Sequence, residues 1–495
     1  MNPRLLAKNA AANVMTGGAM AVVALVLPFL LLRTLPAETF GVWALVMQIA
    51  AYTSVLSFNM QTVVARYVAL EVGAGRPEQA RRFVSSAFFL LAIGGAVAVV
   101  LVLVAFLSFG QVFHNVPPVL ANQAAIALLL MGLALSVTLP GAALNGIFAG
   151  LQRSHVVAGV TVVSRVLLVI LVVAAARATH DLGWMGLAFA LTNLITVAVM
   201  AWQVSRIDPP LSVRRHLIGR SEVSELVDYS TSLAVWSIAM LLVTGLNSAI
   251  VGLFDYPSLP AFAVSATLVA FLVGVQQSIF AVLIPAVAHR LGEADGAAGM
   301  DKLLLSTTRY GCFLLALVGF PLLIWAKPIL ALWTTPEIAE TGAPILRILV
   351  IGNMVRLSAV PFVNLAIAAG AHRKFLLTPL IEGVVNLTVS VILCQHIGAV
   401  GVAWGTLIGA FFGVGGNILV NMSSEGMLYI KIRDYVLKGL VWPYACFLPA
   451  ILILMFGDEF PLIAKILGLT TSVILMFFFG FDANERQLIR KYLAR

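Results

Sequence analysis

The chain has 495 residues, of which 61% are hydrophobic and 10% charged, with a formal net charge of +9. A soluble domain carries about a quarter charged residues, so this composition excludes one. Apolar runs of about 20 residues, rather than alternating ten-residue segments, indicate an all-α polytopic membrane protein and not a β-barrel.

Fourteen spans can be drawn, over 10–32, 41–64, 84–108, 122–147, 156–176, 185–204, 228–253, 259–286, 309–330, 343–369, 375–396, 400–422, 437–456 and 460–480. The run after Arg4 and Lys8 is too long for a signal-peptide core and lacks a clear cleavage site, so it reads as the first span. An even number of spans puts both termini on one side. With the termini in the cytoplasm, 23 of the 30 lysines and arginines fall on the inside, as the positive-inside rule requires. The net charge therefore implies membrane orientation and no nucleic acid. Trp43, Trp184, Trp325, Trp333 and Trp442 fall near span ends, where interfacial anchors belong. The outside loops are too short to hold a catalytic domain. Cys312, Cys394 and Cys446 lie far apart in hydrophobic runs, and the seven histidines show no ligand spacing. No disulfide framework, metal or cofactor is expected.

The two halves read as a repeat. Leu35-Pro36 precedes span 2 and Leu259-Pro260 precedes span 8. Gly150-Leu-Gln-Arg153 and Gly370-Ala-His-Arg373 join spans 4 to 5 and 10 to 11. Gly183-Trp-Met-Gly186 and Gly398-Ala-Val-Gly401 open spans 6 and 12. The offsets are 224, 220 and 215 residues. Six spans per half makes both halves enter from one side, a parallel repeat about an axis along the membrane normal. The expected organisation is an N-terminal six-helix lobe over 1–204 and a cytoplasmic linker over 205–227. A C-terminal six-helix lobe over 228–422 follows. Residues 423–495 supply a connector, two further spans and a basic tail. The linker mixes prolines, four arginines and an acidic turn expected to be capped by Ser221.

Polar residues inside spans are costly and point to function or to helix ties. In span 2, Gln48, Tyr52, Asn59 and Arg66 fall within about 40° on a 100°-per-residue wheel. Asn9, Asn13 and Thr16 share a face of span 1, Thr161, Ser164 and Arg165 one of span 5. Thr378, Glu382, Asn386 and Ser390 step by four along span 11. Arg356 sits near the middle of span 10, close to Asn353, Ser358 and Asn364. Pro361 cannot donate to the carbonyl of Leu357, so it frees an acceptor and kinks the span. Of the 21 acidic residues, Glu382 alone is well inside a span. Single stripes are explained by interhelical hydrogen bonds. Several across both halves, with Arg165 and Arg356 near mid-span, fit a water-filled cleft of net positive lining. Such a cleft favours anionic groups, which arginine binds bidentately. On this reading the central-cavity residues are Arg165, Arg356, Arg66, Asn59, Asn353 and Glu382. For Arg356 a simple helix tie is an equal alternative. Glu382 either pairs with Arg356 or carries a coupling proton.

The segment LPAETFGVWALVMQIAAYTSVLSFNMQTVVARYVA at 35–69, with Phe40-Gly41 and Arg66-Tyr67, resembles Wzx-type polysaccharide flippases. NLAIAAGAHRK at 364–374 looks like the same family's span 10–11 elbow. These are O-antigen and capsule transporters of the multidrug/oligosaccharidyl-lipid/polysaccharide (MOP) exporter superfamily, whose members share a MATE-like fold. The resemblance implies a transporter, not an enzyme, in the bacterial cytoplasmic (inner) membrane. Its implied substrate is a polyprenyl-pyrophosphate-linked oligosaccharide, moved by alternating access and coupled to a proton or sodium gradient. Membrane lipids and other polysaccharide-assembly proteins are the implied partners. Two relatives remain as alternatives, a lipid II flippase and a multidrug exporter. The exporter should carry buried carboxylates in its N-terminal half, and spans 1–6 show none. A membrane-embedded glycosyltransferase or polymerase would want paired carboxylates or a large external loop, and neither is visible.

Overall fold

The computed structural model describes residues 22–207, 211–280, 299–368, 377–422, 431–456, 460–481 and 485, apart from the side chains of 232, 233, 278 and 279. Among these residues the regular structure is helical, with no strand. Twelve helices are long and apolar enough to cross a membrane. The pair Ile432–Ala445 and Leu448–Phe456, bent by 61°, brings the number to thirteen when taken as one span. These are spans 2 to 14 of the sequence reading. Span 1 is represented by Val22–Leu32. Asn9, Asn13, Thr16 and the 370–374 elbow lie outside the described residues.

The chain divides into two compact units, Met1–Val264 and Ser265–Arg495, with the division inside the helix Leu259–Phe280 of span 8. In the first unit, the inner core joins span 2 (Ala37–Gly73), span 3 (Pro77–Val112), span 4 and span 6 (Leu182–Ser205). Val64, Tyr67, Phe83, Ile147 and Met200 are among its buried side chains. Outward-pointing Val100, Leu103, Val104 and Leu107 of span 3 are exposed, as apolar groups facing lipid should be. In the second unit, span 9 (Met300–Ile324) meets span 13 through the stacked rings of Phe320 and Phe447, 5.2 Å apart.

Several spans are interrupted, each for an identifiable reason. Span 4 breaks between Thr138 and Gly141, at Pro140. Span 10 (Pro336–Ala366) breaks between Ser358 and Val360, as expected from Pro361. The Leu357 carbonyl freed by that proline is not left bare. Gln276 of span 8, fully buried, donates its Nε2 to it at 2.8 Å. Gln276→Leu keeps the bulk and orphans this carbonyl, which should cost ~1–3 kcal/mol, read as a lowered Tm of the purified protein.

Span 2 breaks without a proline. Its α-helix ends at Ala51, a 3₁₀ turn runs over Tyr52–Ser57, and Phe58 and Asn59 are left-handed at φ 45° and 54°. Asparagine tolerates that conformation far better than phenylalanine does. The break is braced by span 7 (Arg220–Phe254), which itself carries a π turn at Leu241–Gly245. Tyr52 donates its hydroxyl to the carbonyl of Gly245, and Asn59 donates Nδ2 to Ser237 Oγ at 2.9 Å. The helical wheel that aligned Gln48, Tyr52, Asn59 and Arg66 assumes an unbroken α-helix. Here the directions of Tyr52 and Asn59 are set by the break instead.

The linker differs from expectation at its acidic turn. The span 7 helix already begins at Arg220 with Gly219 at its cap position, and Ser221 donates to Glu222 Oε2 instead of capping. The linker is held on span 3, where Arg81 donates to the Ser212 carbonyl at 3.0 Å and to its hydroxyl at 2.8 Å.

Span 11 (Leu377–Ile397) and span 12 (Ala399–Asn421) make the most extensive helix–helix contact among the described elements. The polar stripe of span 11 lies in their seam. Glu382 is 7% exposed, and Asn386 and Ser390 are not exposed at all. Ser390 donates to Asn386 Oδ1 at 2.8 Å, and Asn421 donates to Thr378 Oγ1 at 2.8 Å. What admits the stripe is a ladder of small residues on span 12, with glycine at 401, 405, 409 and 413. A Cβ at Gly409 would stand 2.9 Å from that of Asn386, and one at Gly405 would stand 2.7 Å from the Ser390 nitrogen. Small residues at every fourth position let membrane helices approach closely.

Candidate functional site

In the first unit, Asn59 and Arg66 lie seven residues apart on exposed positions of span 2, with Thr62 between them. Asn59 is occupied by its bond to Ser237. Arg66 makes no hydrogen bond or ion pair among the described residues; its guanidinium lies over the rings of Tyr229, at 4.4 Å, and Tyr67, at 5.7 Å. Arg165 sits half-buried on span 5 (Ser154–Thr179) and makes no hydrogen bond, ion pair or ring contact among the described residues. Its neighbour Ser164 turns instead to Thr196 of span 6, 2.5 Å away. Thus, among the described residues, two arginines of this unit spend none of their five N–H donors on a protein acceptor.

In the second unit, the structure brings Asn353 and Arg356 together. Arg356 Nη2 donates to Asn353 Oδ1 at 2.6 Å, and Asn353 Nδ2 donates to the Leu349 carbonyl at 2.8 Å. One turn of helix thereby orients the guanidinium and leaves most of its donors unspent. Glu382 acts on Arg356 electrostatically but forms no direct ion pair with it. Its Oε1 is buried without a hydrogen-bond partner among the described residues. The two side chains therefore interact through space, without a closed salt bridge.

Elsewhere on these spans basic side chains are held by a backbone carbonyl and by a carboxylate. Arg347 donates to the Leu323 carbonyl at 3.2 Å, and Lys327 pairs with Glu340. The expectation that spans 1–6 hold no buried carboxylate is corrected by Glu71, which is 5% exposed. The helix of span 2 runs on to Gly73, past the predicted boundary, and Glu71 pairs there with Arg76 at 2.8 Å. Among the described residues no cluster of histidine, cysteine or acidic side chains could hold a metal, and the three buried cysteines form no disulfide.

Sequence reasoning missed three contributors. Gln276 has no signal of its own, being one of two glutamines beside an apolar run. Tyr229 lies outside any stripe. The glycine ladder at 401, 405, 409 and 413 is legible as a four-residue period.

A family model described as "Polysaccharide biosynthesis protein" matches residues 6–289 of this chain. The chain belongs to that family. No curated protein sequence matches it. Among solved structures, this family member is similar to the lipid II flippase MurJ in an inward closed conformation, with a TM-score of 0.71 and 13% identity. That likeness covers 97% of this chain and 99% of the other. An inward-facing multidrug resistance MATE family transporter of the MOP superfamily gives a TM-score of 0.64 at 14% identity, over 84% of this chain and 100% of that one. A MOP superfamily transporter from Pyrococcus furiosus, described as having a binding pocket of reverse polarity, gives 0.59 at 13% identity, over 83% and 94%. At these identities the structures establish the fold, which is MATE/MOP-like, and the chain's own apolar helices make it a multi-pass membrane protein.

Proposed function

We propose that this protein is a Wzx-type flippase that moves a polyprenyl-pyrophosphate-linked oligosaccharide across the membrane by alternating access. The substrate class is an O-antigen, capsule or exopolysaccharide repeat unit. The family and the fold support a flippase-type transporter rather than an enzyme. The observation that carries the anionic substrate is the set of arginines on spans 2, 5 and 10, none directly paired with a carboxylate among the described residues. A buried cation is expensive in a bilayer and persists where it faces protein, water or an anionic partner. A pyrophosphate and a glycan cannot cross about 30 Å of hydrocarbon unaided, and wet, basic surroundings would shelter them. Glu382, with its unbonded Oε1 beside Arg356, supports coupling to a proton or sodium gradient. The residues proposed to serve the substrate are Arg165, Arg356, Arg66, Asn59, Asn353 and Glu382. The two lobes, linker and C-terminal region drawn from the sequence, 1–204, 205–227, 228–422 and 423–495, belong to the same proposal. Glu71 does not favour the multidrug-exporter alternative, because Arg76 already neutralises it.

The deciding experiment is export of a labelled lipid-linked glycan in a flippase-deletion strain supplied with this chain. Restored export is expected; lipid II translocation with no glycan export would move the protein to the lipid II branch. The proposed location is the bacterial inner membrane with both termini cytoplasmic. Reporter fusions after Arg82, Arg220 and Arg373 should then read cytoplasmic, and those at Asp181 and Glu337 external. An external reading at Arg220 would reverse the orientation.

A further inference from the structure

The inner end of span 2 and the start of span 3 carry four arginines, and three of them are bound to protein groups. Arg76 pairs with Glu71 at 2.8 Å, Arg81 holds Ser212, and Arg82 reaches Glu222 at 3.9 Å. Arg66 is different. Among the described residues its polar partners are the two tyrosine rings alone. Those rings are themselves fixed: Tyr67 stacks on Phe83 with centroids 4.3 Å apart, and Tyr229 meets Tyr67 edge-on at 6.5 Å. An aromatic face attracts a guanidinium through its quadrupole while consuming none of the N–H donors and cancelling none of the charge. Asp228 and Glu225 act on Tyr67 electrostatically, yet neither forms an ion pair with Arg66. Thr62 and Arg66 lie one helical turn apart on exposed positions, just after exposed Asn59 at the break. A polar face of this kind in so apolar a chain faces water or protein rather than lipid.

We propose that Tyr229 is a positioning residue that holds the Arg66 guanidinium ready for a phosphate or pyrophosphate group. The proposal rests on the flippase reading and names where the anionic part of such a substrate docks in the first unit. Tyr229 does not touch the anion; it restricts the long arginine side chain, so less rotamer freedom is lost when the anion binds.

The test is inorganic pyrophosphate binding to the purified full-length protein by calorimetry, with Tm measured for each variant. Arg66→Ala should weaken binding. Tyr229→Leu should weaken it by about 2- to 30-fold, the range of a cation–π contact. Tyr229→Phe keeps the ring and should bind as the parent does. In an Arg66→Ala background, Tyr229→Leu should cost nothing more. Loss on Arg66→Ala with full binding by Tyr229→Leu overturns the positioning role alone. Equal losses for Tyr229→Phe and Tyr229→Leu overturn it too, because the hydroxyl rather than the ring face would then matter. Undiminished binding by Arg66→Ala, or none by the parent, removes this site, while glycan export tests the flippase reading separately.

Discussion

A leucine at Gly405 is expected to abolish accumulation of the folded protein, whereas a leucine at Gly415, ten residues along the same helix, is expected to be tolerated. The difference lies in what each glycine faces. A Cβ at Gly405 would stand 2.7 Å from the backbone nitrogen of Ser390 and 2.9 Å from its Cα, whereas nothing lies within 4 Å of a Cβ at Gly415. A backbone cannot swing aside as a side chain can, so spans 11 and 12 would have to separate. That separation would break the Ser390–Asn386 bond and strip the close packing around Glu382. Overpacking by single methylenes costs ~1–3 kcal/mol, and four carbons against a backbone exceed that. Total stability is of the order of ~5–15 kcal/mol, so the loss is a large fraction of it. At Gly415 leucine replaces a poor helix former and should be neutral or stabilising by up to ~1 kcal/mol. Size-exclusion recovery and Tm in detergent read both variants. Normal recovery of Gly405→Leu would show that the seam is loose enough to reopen.

The legibility of this fold follows the range of each interaction. Span length and charge asymmetry are properties of a local window, so spans 2 to 14 could be placed from the chain alone. The kink at Pro361 is local too, because the ring removes a specific hydrogen bond. What answers it is not local: Gln276 lies 81 positions away and reaches the Leu357 carbonyl only because spans 8 and 10 pack together. The break at Phe58 and Asn59 has no proline or glycine to announce it. It is braced through Gly245 and Ser237, nearly 200 residues on. The span 11 stripe was visible as a four-residue period, but its environment was written on span 12, in glycines that the reading of charges and polar groups passed over. Of the proposed site, Arg356 and Asn353 are three residues apart and meet within one helical turn. Glu382 joins them only through tertiary packing.

Alanine at Arg356 or at Arg165 is expected to abolish or strongly reduce glycan export while the protein still inserts and folds. Arg356 loses a guanidinium that is held at 2.6 Å by Asn353 and acted on by Glu382. In partly desolvated surroundings a unit charge interacts with an anion several-fold more strongly than in water, at ~4 kcal/mol for 4 Å and an effective dielectric near 20. Losing one such contact at the head group would slow translocation by a factor of about a thousand, since each 1.4 kcal/mol is tenfold. Lysine should rescue in part, because it keeps the charge and loses the planar fork that grips two phosphate oxygens at once. A helix tie would behave differently. Removing a tie lowers Tm and recovery together with transport, and leaves a residual activity proportional to folded protein. The measurement is therefore export per unit of folded protein, with Arg356→Gln added as a neutral hydrogen-bonding control. Loss in Arg356→Gln with partial recovery in Arg356→Lys assigns the role to charge. Full export per unit of folded protein by Arg356→Ala would make the arginine at most a tie. The same result at Arg165 would leave the anionic substrate resting on Arg66 and on family membership.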